Sequence, residues 1–205
     1  MTATSMEPPV WSVPREWPGE TCLIVCSGES VAKQKDQIAG FRGRVIAVKH
    51  GVLLRPDADV LFLSGERSPD IGLELIPKFT GQHIVARSRS NPAFPDTVKV
   101  MRRTKDHAHL CELRDHVCGY DSGTSAINLA YHFGATTILL AGYDMTGGHF
   151  CKHPLGHIPQ EHFDRHMSPL DALAEDCRAK GVRVVNCSPI SAVTAFEKQP
   201  LGAFL

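Results

Sequence analysis

The segment DSGTSAINLAYHFGATTILLAGYDM, residues 121–145, predicts a helix, a turn and a buried strand in immediate succession. Four apolar residues at i, i+3, i+4 and i+7 share one face of a helix over residues 124–133: Ala126, Leu129, Ala130 and Phe133. Asp121 or Ser122 can cap the exposed amides at the start of this helix. The apolar run TTILLA at 136–141 then predicts a central strand. A helix that leads directly into a buried strand is typical of a parallel α/β fold.

Further apolar runs flank this segment on both sides. They are continuous, rich in β-branched residues and bounded by Gly, Pro, Asp or Ser, which is typical of strands covered on both faces. The predicted strands span residues 22–27, 44–50, 59–64, 83–87, 97–102 and 182–187. Helices are predicted over 29–38 and from Ser168, as a cap, and Pro169 to Gly181. The alternation predicts a single-domain α/β fold, a doubly wound, mostly parallel Rossmann-like sheet with helices on both faces.

A proline-rich arm precedes the first predicted strand. Residues 1–18 contain both tryptophans of the chain, Trp11 and Trp17, and too many prolines to form a helix. We therefore expect an extended arm over residues 1–18 and a Rossmann-like domain over residues 19–205. Because exposed tryptophans are unfavourable, the arm is expected to lie on this domain or on a second subunit of a homo-oligomer.

Composition and charge argue against several classes of protein. With 22 basic and 22 acidic residues, the formal net charge is zero, so net charge does not indicate nucleic acid or an anionic membrane as a partner. No apolar run approaches the ~20 residues of a membrane span, and the first residues do not resemble a secretory signal. The seven cysteines form no C-x-x-C pair, which indicates a reducing compartment. We expect a cytoplasmic protein without a membrane span.

Small and polar residues follow the first three predicted strands. In a doubly wound sheet, ligands bind at the carboxyl ends of the strands, where the strand order reverses. The turn after the first strand has a glycine and amides at a helix start, which favour a phosphate, although it is neither G-x-G-x-x-G nor a P-loop. Polar residues after the next two strands can bind a base or ribose, or simply begin loops. The candidate nucleotide-binding residues at these three ends are Ser27, Gly28, Ser30, His50, Ser64 and Gly65.

The segment 121–145 supplies further candidates at both of its ends. Its helix start offers amides and hydroxyls to a phosphate or sugar, although capping residues occur at most helices. Its nucleotide-binding candidates are Ser122, Gly123, Thr124, Gly142 and Tyr143. Asp144 is a candidate catalytic residue, because a carboxylate at the tip of a central strand faces the ligand crevice in this architecture.

Histidines are concentrated in the stretch that follows. Zinc requires three or four converging nitrogen or sulfur ligands, and the spacing H-x-C-x-H-x-x-x-H could supply them, although it matches no known closed site. The candidate metal ligands are His149, Cys151, His153 and His157. Two other interpretations are that one histidine of the stretch acts as a base or substrate ligand, and that the stretch is a surface loop.

Four features together resemble a superfamily of Rossmann-like proteins. They are the Gly/Ser turn after the first strand, the polar end of the second strand, segment 121–145, and the closing VRVVNCSPISAVTAF at 182–196. The superfamily includes Campylobacter-type sialyltransferases, motility accessory factor proteins and archaeal MptE-like pterin diphosphokinases. The chain looks most like small phage and prophage proteins of uncertain function, with a W-x-G-E-T start like residues 17–21 and a V-V-N-C-[ST]-P ending.

This resemblance implies a nucleotide or nucleotide-sugar site. The residues that it places there are Ser27, Gly28, His50, Ser64, Ser122, Gly123 and Thr124. In the sialyltransferases a histidine shortly before the last helix is the general base for the acceptor hydroxyl, and His162 and His166 are the corresponding candidates. The chain departs from the pattern in three places. Glu29 replaces the usual proline of the first turn, and Lys49 or His50 replaces the asparagine that commonly ends the second strand. The tyrosines that hold the leaving phosphate in the sialyltransferases have no counterpart, because no tyrosine follows Tyr143.

Three functions are compatible with these observations. The first is a glycosyltransferase-like enzyme with a nucleotide-activated donor, in which Asp144 and the 122–124 turn orient the donor and a histidine is the base. The second is a metal-dependent, MptE-like enzyme that transfers a phosphate or diphosphate, with Asp144 and the histidine stretch as Mg²⁺ or Zn²⁺ ligands. The third is a non-catalytic nucleotide-binding or interaction protein of phage origin, which would work in the bacterial host cytosol.

Overall fold

The computed structural model describes residues 10–64, 69–87, 93–151 and 158–205. Within these ranges the sheet consists of β1 (Thr21–Val25), β2 (Arg44–Val48), β3 (Val60–Ser64), β4 (His83–Arg87), β5 (Lys99–Arg103), β6 (His116–Val117), β7 (Thr137–Ala141), β8 (Arg183–Asn186) and β9 (Glu197–Lys198). The strand order is β6-β5-β4-β3-β2-β1-β7-β8-β9, and all neighbouring strands are parallel. The order reverses between β1 and β7, which is where this type of sheet opens a ligand crevice.

Helices cover both faces of the sheet. They are α1 (Lys35–Gly40), α2 (Pro69–Leu75), α3 (Ser122–Phe133) and α5 (Leu170–Ala179), while α4 (Gln160–Met167) lies at the edge of the core. Alternation along β1 directs Cys22 and Ile24 to the face covered by α3 and α5, and Leu23 and Val25 to the face covered by α1 and α2. Two separate apolar clusters result, and the predicted doubly wound α/β fold is confirmed.

Two helical predictions were wrong in detail. The predicted helix over 29–38 is divided into a 3₁₀ turn, Glu29–Lys33, and α1, because Gln34 between them leaves helical geometry with φ −113° and ψ 9°. Ser168 does not cap α5. It ends α4, a helix that the sequence analysis did not predict, and its hydroxyl donates to the Arg165 carbonyl oxygen at 3.2 Å.

The described part of the arm, residues 10–18, packs on the chain's own domain. The Trp11 amide donates to the Val100 carbonyl oxygen at 2.8 Å, and the Trp17 amide donates to that of Phe133, also at 2.8 Å. The Trp17 ring is buried and stacks on the Phe133 ring with 3.9 Å between centroids. A homo-oligomer formed through the arm stays a prediction. In the same described ranges, no helix is long and apolar enough to cross a membrane.

Two buried polar side chains of α3 hold the loop that leads to the crevice. The Asn128 amide oxygen accepts from the Cys118 amide at 2.9 Å and from the Cys111 amide at 3.2 Å, and its nitrogen donates to the Cys111 carbonyl oxygen at 2.9 Å. One turn later, His132 Nε2 donates to the His116 carbonyl oxygen at 2.8 Å. Burial lowers the pKa of His132 to about 4, so the imidazole is neutral in the folded protein at neutral pH.

This neutral histidine gives an expected pH dependence of stability. An unfolded imidazole binds a proton below about pH 6.5, whereas the folded His132 excludes one down to about pH 4. The free energy of unfolding should therefore fall as pH decreases from about 6.5 to about 4, by about 3 kcal/mol at the acid end. Urea unfolding across this range should show a shallower decrease for His132→Gln, which keeps a donor but cannot titrate. Equal slopes for the two proteins would contradict the assignment.

Candidate functional site

A crevice of about 520 Å³ lies at the carboxyl ends of the central strands, where the strand order reverses. The predicted residues that line it are Ser27, Gly28, His50, Ser64, Ser122, Gly123, Gly142, Tyr143, Asp144, His149, His162 and His166. Ser30 and Thr124 are buried outside the lining, and Cys151 is half-buried outside it. Gly65, His153 and His157 lie outside the described residues. That the lining residues bind a nucleotide stays a prediction.

The turn after β1 holds a carboxylate of the protein itself. The Ser30 amide donates to Asp144 Oδ2 at 2.8 Å, and its hydroxyl donates to Oδ1 at 2.5 Å. A Cβ on Gly28 would lie 2.5 Å from Asp144 Oδ2 and 2.5 Å from the Gly142 carbonyl oxygen. Gly28 thus allows Asp144 to approach the turn closely. Asp144 accepts the hydrogen bond of the Ser30 amide, one of the amides that were predicted to favour a phosphate. Asp144 lines the crevice but is only 2% exposed, with each carboxylate oxygen bound to Ser30.

The closing segment of the chain positions the residues that follow β7. The Tyr143 amide donates to Ser188 Oγ at 2.8 Å, and the Tyr143 carbonyl oxygen accepts from Ser191 Oγ at 2.7 Å. The Ala192 amide donates to the Asp144 carbonyl oxygen at 2.8 Å. These bonds connect segment 121–145 with the closing segment 182–196, two of the four features on which the family resemblance rests.

Asp121 organises the start of α3. Its Oδ1 accepts from the Thr124 amide at 3.0 Å, and its Oδ2 accepts from the Tyr143 hydroxyl at 3.2 Å. Burial, reinforced by Asp121, raises the pKa of Tyr143 well above its usual value, so this phenol remains a hydrogen-bond donor. In the lining of the crevice, the Ser64 hydroxyl donates to the Ser122 hydroxyl.

Basic side chains dominate the charge of the lining. Within the described residues, the crevice contains two carboxylates, those of Asp121 and Asp144, and four Lys or Arg side chains. The basic residues are Lys49, Arg87, Arg103 and Arg165. This excess of positive charge fits an anionic ligand.

Arg87 was missed by the sequence analysis, although it ends a predicted strand and the same strand-end rule selects it. It is 6% exposed and donates to Ser125 Oγ at 2.7 Å and to the Gly119 carbonyl oxygen at 3.0 Å. It therefore anchors the start of α3 as well as adding charge to the crevice.

Two histidines of α4 face the crevice one helical turn apart. The ring centroids of His162 and His166 are 4.2 Å apart. Burial is the main factor that lowers the pKa of His166, and His162, Arg165 and Arg87 lower this pKa further. The Asp121 carboxylate raises it and opposes them only in part. A neutral imidazole at pH 7 can accept a proton from a substrate.

Tyr120 completes the rim beside α4, and the sequence analysis did not select it. Its side chain is 43% exposed, and its ring is parallel to that of His166 within 3°, with 6.2 Å between centroids. The Tyr120 ring also contacts the His107 ring, with 4.4 Å between the two centroids. Tyr120 follows Gly119, whose left-handed φ of 100° turns the chain toward the helix start.

Metal binding by the histidine stretch stays a prediction. Across residues 10–64, 69–87, 93–151 and 158–205, no group of three or more His, Cys, Asp or Glu side chains is arranged to hold a metal ion. Of the four candidate ligands, His149 lines the crevice and Cys151 does not. Burial raises the pKa of the Cys151 thiol, which opposes the thiolate form that binds metals.

Comparison with known proteins supports the fold. No protein-family model and no curated protein sequence matches the chain. Among solved structures, the chain is similar to the MAf glycosyltransferase from Magnetospirillum magneticum AMB-1, with a TM-score of 0.61 and 12% identity. The match covers 94% of this chain but 36% of that one, so the chain spans about a third of the length of the glycosyltransferase. The likeness agrees with the predicted resemblance to motility accessory factor proteins at the level of fold, and the resemblance to phage proteins stays a prediction.

Proposed function

We propose that the chain is a glycosyltransferase-like enzyme that uses a nucleotide-activated donor, with His162 or His166 as general base. One observation carries the proposal: a crevice with excess positive charge lies at the reversal of strand order, with a pair of histidines on its wall. Such a crevice suits a ligand that combines phosphate with groups able to form hydrogen bonds. The likeness to a MAf glycosyltransferase supports the same kind of activity.

The proposed reaction needs three contributions from the protein. The lining cations hold the donor phosphate and stabilise the negative charge that develops on it as it leaves. A neutral histidine takes the proton of the acceptor hydroxyl. The acceptor oxygen then forms a bond to the anomeric carbon, while the bond from that carbon to the phosphate oxygen breaks and its electron pair leaves with the nucleotide. With no tyrosine after Tyr143, stabilisation of the leaving phosphate falls to basic residues such as Lys49 and Arg165.

A thermal-shift screen tests the proposal directly. The protein is heated with CMP, UMP, GDP, ADP, their sugar conjugates and NAD, each with Mg²⁺ and with EDTA. A ligand at one hundred times its Kd should stabilise the fold by about 2.7 kcal/mol, which raises Tm by several degrees. Stabilisation by a nucleotide or its sugar conjugate in EDTA is the expected result. Stabilisation that requires Mg²⁺ would favour the metal-dependent alternative, and a flat screen would contradict nucleotide binding.

A further inference from the structure

Lys49 occupies an unusual position at the carboxyl end of β2. Its backbone is left-handed, with φ 48°, a conformation that non-glycine residues adopt rarely and mostly where the surrounding structure requires it. The Gly51 position packs so closely on β1 that a Cβ there would lie 2.2 Å from the Val25 carbonyl oxygen. This packing fixes the turn Lys49–Leu53, and the Lys49 side chain lines the crevice.

The Lys49 ammonium group has no bonding partner in the part of the chain that the structure describes, where it forms neither a hydrogen bond nor an ion pair. Three groups act on it electrostatically: Arg87 from β4, Asp121 from the α3 cap and the Cys26 thiol from the end of β1. Asp121 already accepts bonds from Thr124 and Tyr143. Burial and the neighbouring Arg87 lower the pKa of Lys49 to about 8, and Asp121 and Cys26 only partly oppose them.

Neither carboxylate of the described lining bonds to Lys49, so its ammonium group can bind an anion that enters the crevice. Asp121, the carboxylate that acts on Lys49, accepts hydrogen bonds from Thr124 and Tyr143, and the other carboxylate of the described lining, that of Asp144, is bound to Ser30. The amides at the start of α3, a helix of 12 residues, also favour an anion.

We propose that Lys49 and the start of α3 form the phosphate subsite of the crevice, and that binding of the anion draws a proton onto Lys49. Identification of the anion as a nucleotide phosphate rests on the proposed function. An anion beside the amine favours the charged ammonium form, because it supplies the attraction that the free site lacks. The bound proton remains on Lys49 and forms a charge-assisted hydrogen bond to the phosphate oxygen.

Isothermal titration calorimetry measures this proton directly. Binding is measured at pH 8.5 in two buffers with different enthalpies of ionisation, with UDP, with the nucleotide preferred in the screen and with inorganic sulfate. None of these ligands takes up a proton at this pH, because phosphate groups titrate near pH 6. With a free pKa of about 8, wild-type protein should take up roughly 0.7 proton per ligand at pH 8.5 and almost none at pH 6.5.

Two variants separate charge from titration. Lys49→Met should weaken binding by about 10- to 100-fold and abolish proton uptake. Lys49→Arg should retain most of the binding but also abolish uptake, because a guanidinium does not titrate in this range. Lys33→Met, at an exposed lysine outside the crevice, is the matched control and should behave like wild type.

The outcomes distinguish the two proposals. If nucleotide binds without proton uptake, and binds to Lys49→Met with the same affinity as to wild type, then the phosphate subsite is overturned. The proposed function stays intact in that case. Sulfate binding with uptake that depends on Lys49, in a protein that binds no nucleotide, would support the subsite and overturn the proposed function. No binding of any of the ligands would overturn both.

Discussion

Replacing both His162 and His166 by alanine is expected to slow turnover of the nucleotide-sugar donor by about 10²- to 10⁴-fold, the range for a lost general base. The two side chains are one turn apart on α4 and both line the crevice. Release of free nucleotide from the preferred donor, with and without acceptors, measures turnover. Nucleotide affinity and Tm should stay close to wild type, because both rings are only partly buried and are not part of the hydrophobic core.

The single variants and a pH profile then assign the base. Because the pKa of His166 is lowered, a reaction that depends on His166 should retain its rate below pH 6.5 before it declines on the acid side. His109→Ala is a suitable control, since this exposed histidine lies outside the crevice and contacts Asp176. Wild-type turnover in the double variant would exclude both histidines as the base. A large loss of Tm would instead make them structural.

The sequence predicted the sheet well because its central strands are continuous apolar runs with sharp polar boundaries. It predicted α3 because this helix has an apolar face and ends at glycine. It did not predict α4, QEHFDRHM, because Phe163 and Met167 are its only apolar residues and it covers the edge of the core rather than a face of the sheet. Hydrophobic periodicity identifies a helix by its buried apolar face, and none of the residues of α4 is fully buried.

The candidate site was predicted in part for a related reason. The rule that ligands bind at strand ends located the crevice and most of its lining, since it depends only on the strands. The function of each residue also depends on contacts between distant parts of the chain. Asp144 bonds to Ser30, 114 residues away, and Arg87 bonds to Ser125, 38 residues away. Such pairs carry no local sequence signal, so the bonds between Asp144 and Ser30 were not predicted, and the catalytic role of Asp144 stays a prediction.

Gly28→Ala is expected to destabilise the folded protein by about 3–5 kcal/mol and to lower Tm by roughly 10 °C. The backbone of Gly28 is extended, with φ −62° and ψ 154°, so alanine is acceptable to the backbone itself. Its Cβ, however, would lie 2.5 Å from both Asp144 Oδ2 and the Gly142 carbonyl oxygen. Relief of this clash requires Asp144 to move away from Ser30, which leaves a buried carboxylate without its two hydrogen bonds.

Gly40→Ala provides the matched comparison, because a Cβ at this position in α1 meets no atom within 4 Å. This variant should be as stable as wild type or more stable by up to about 1 kcal/mol, since alanine reduces the entropy of the unfolded chain. Thermal and urea unfolding of the ligand-free proteins distinguish the two roles of Gly28. If Gly28→Ala unfolds like wild type but no longer binds nucleotide, then Gly28 is small to admit the ligand. If it is unstable without any ligand, then Gly28 is small to admit Asp144, and the phosphate must bind elsewhere in the crevice.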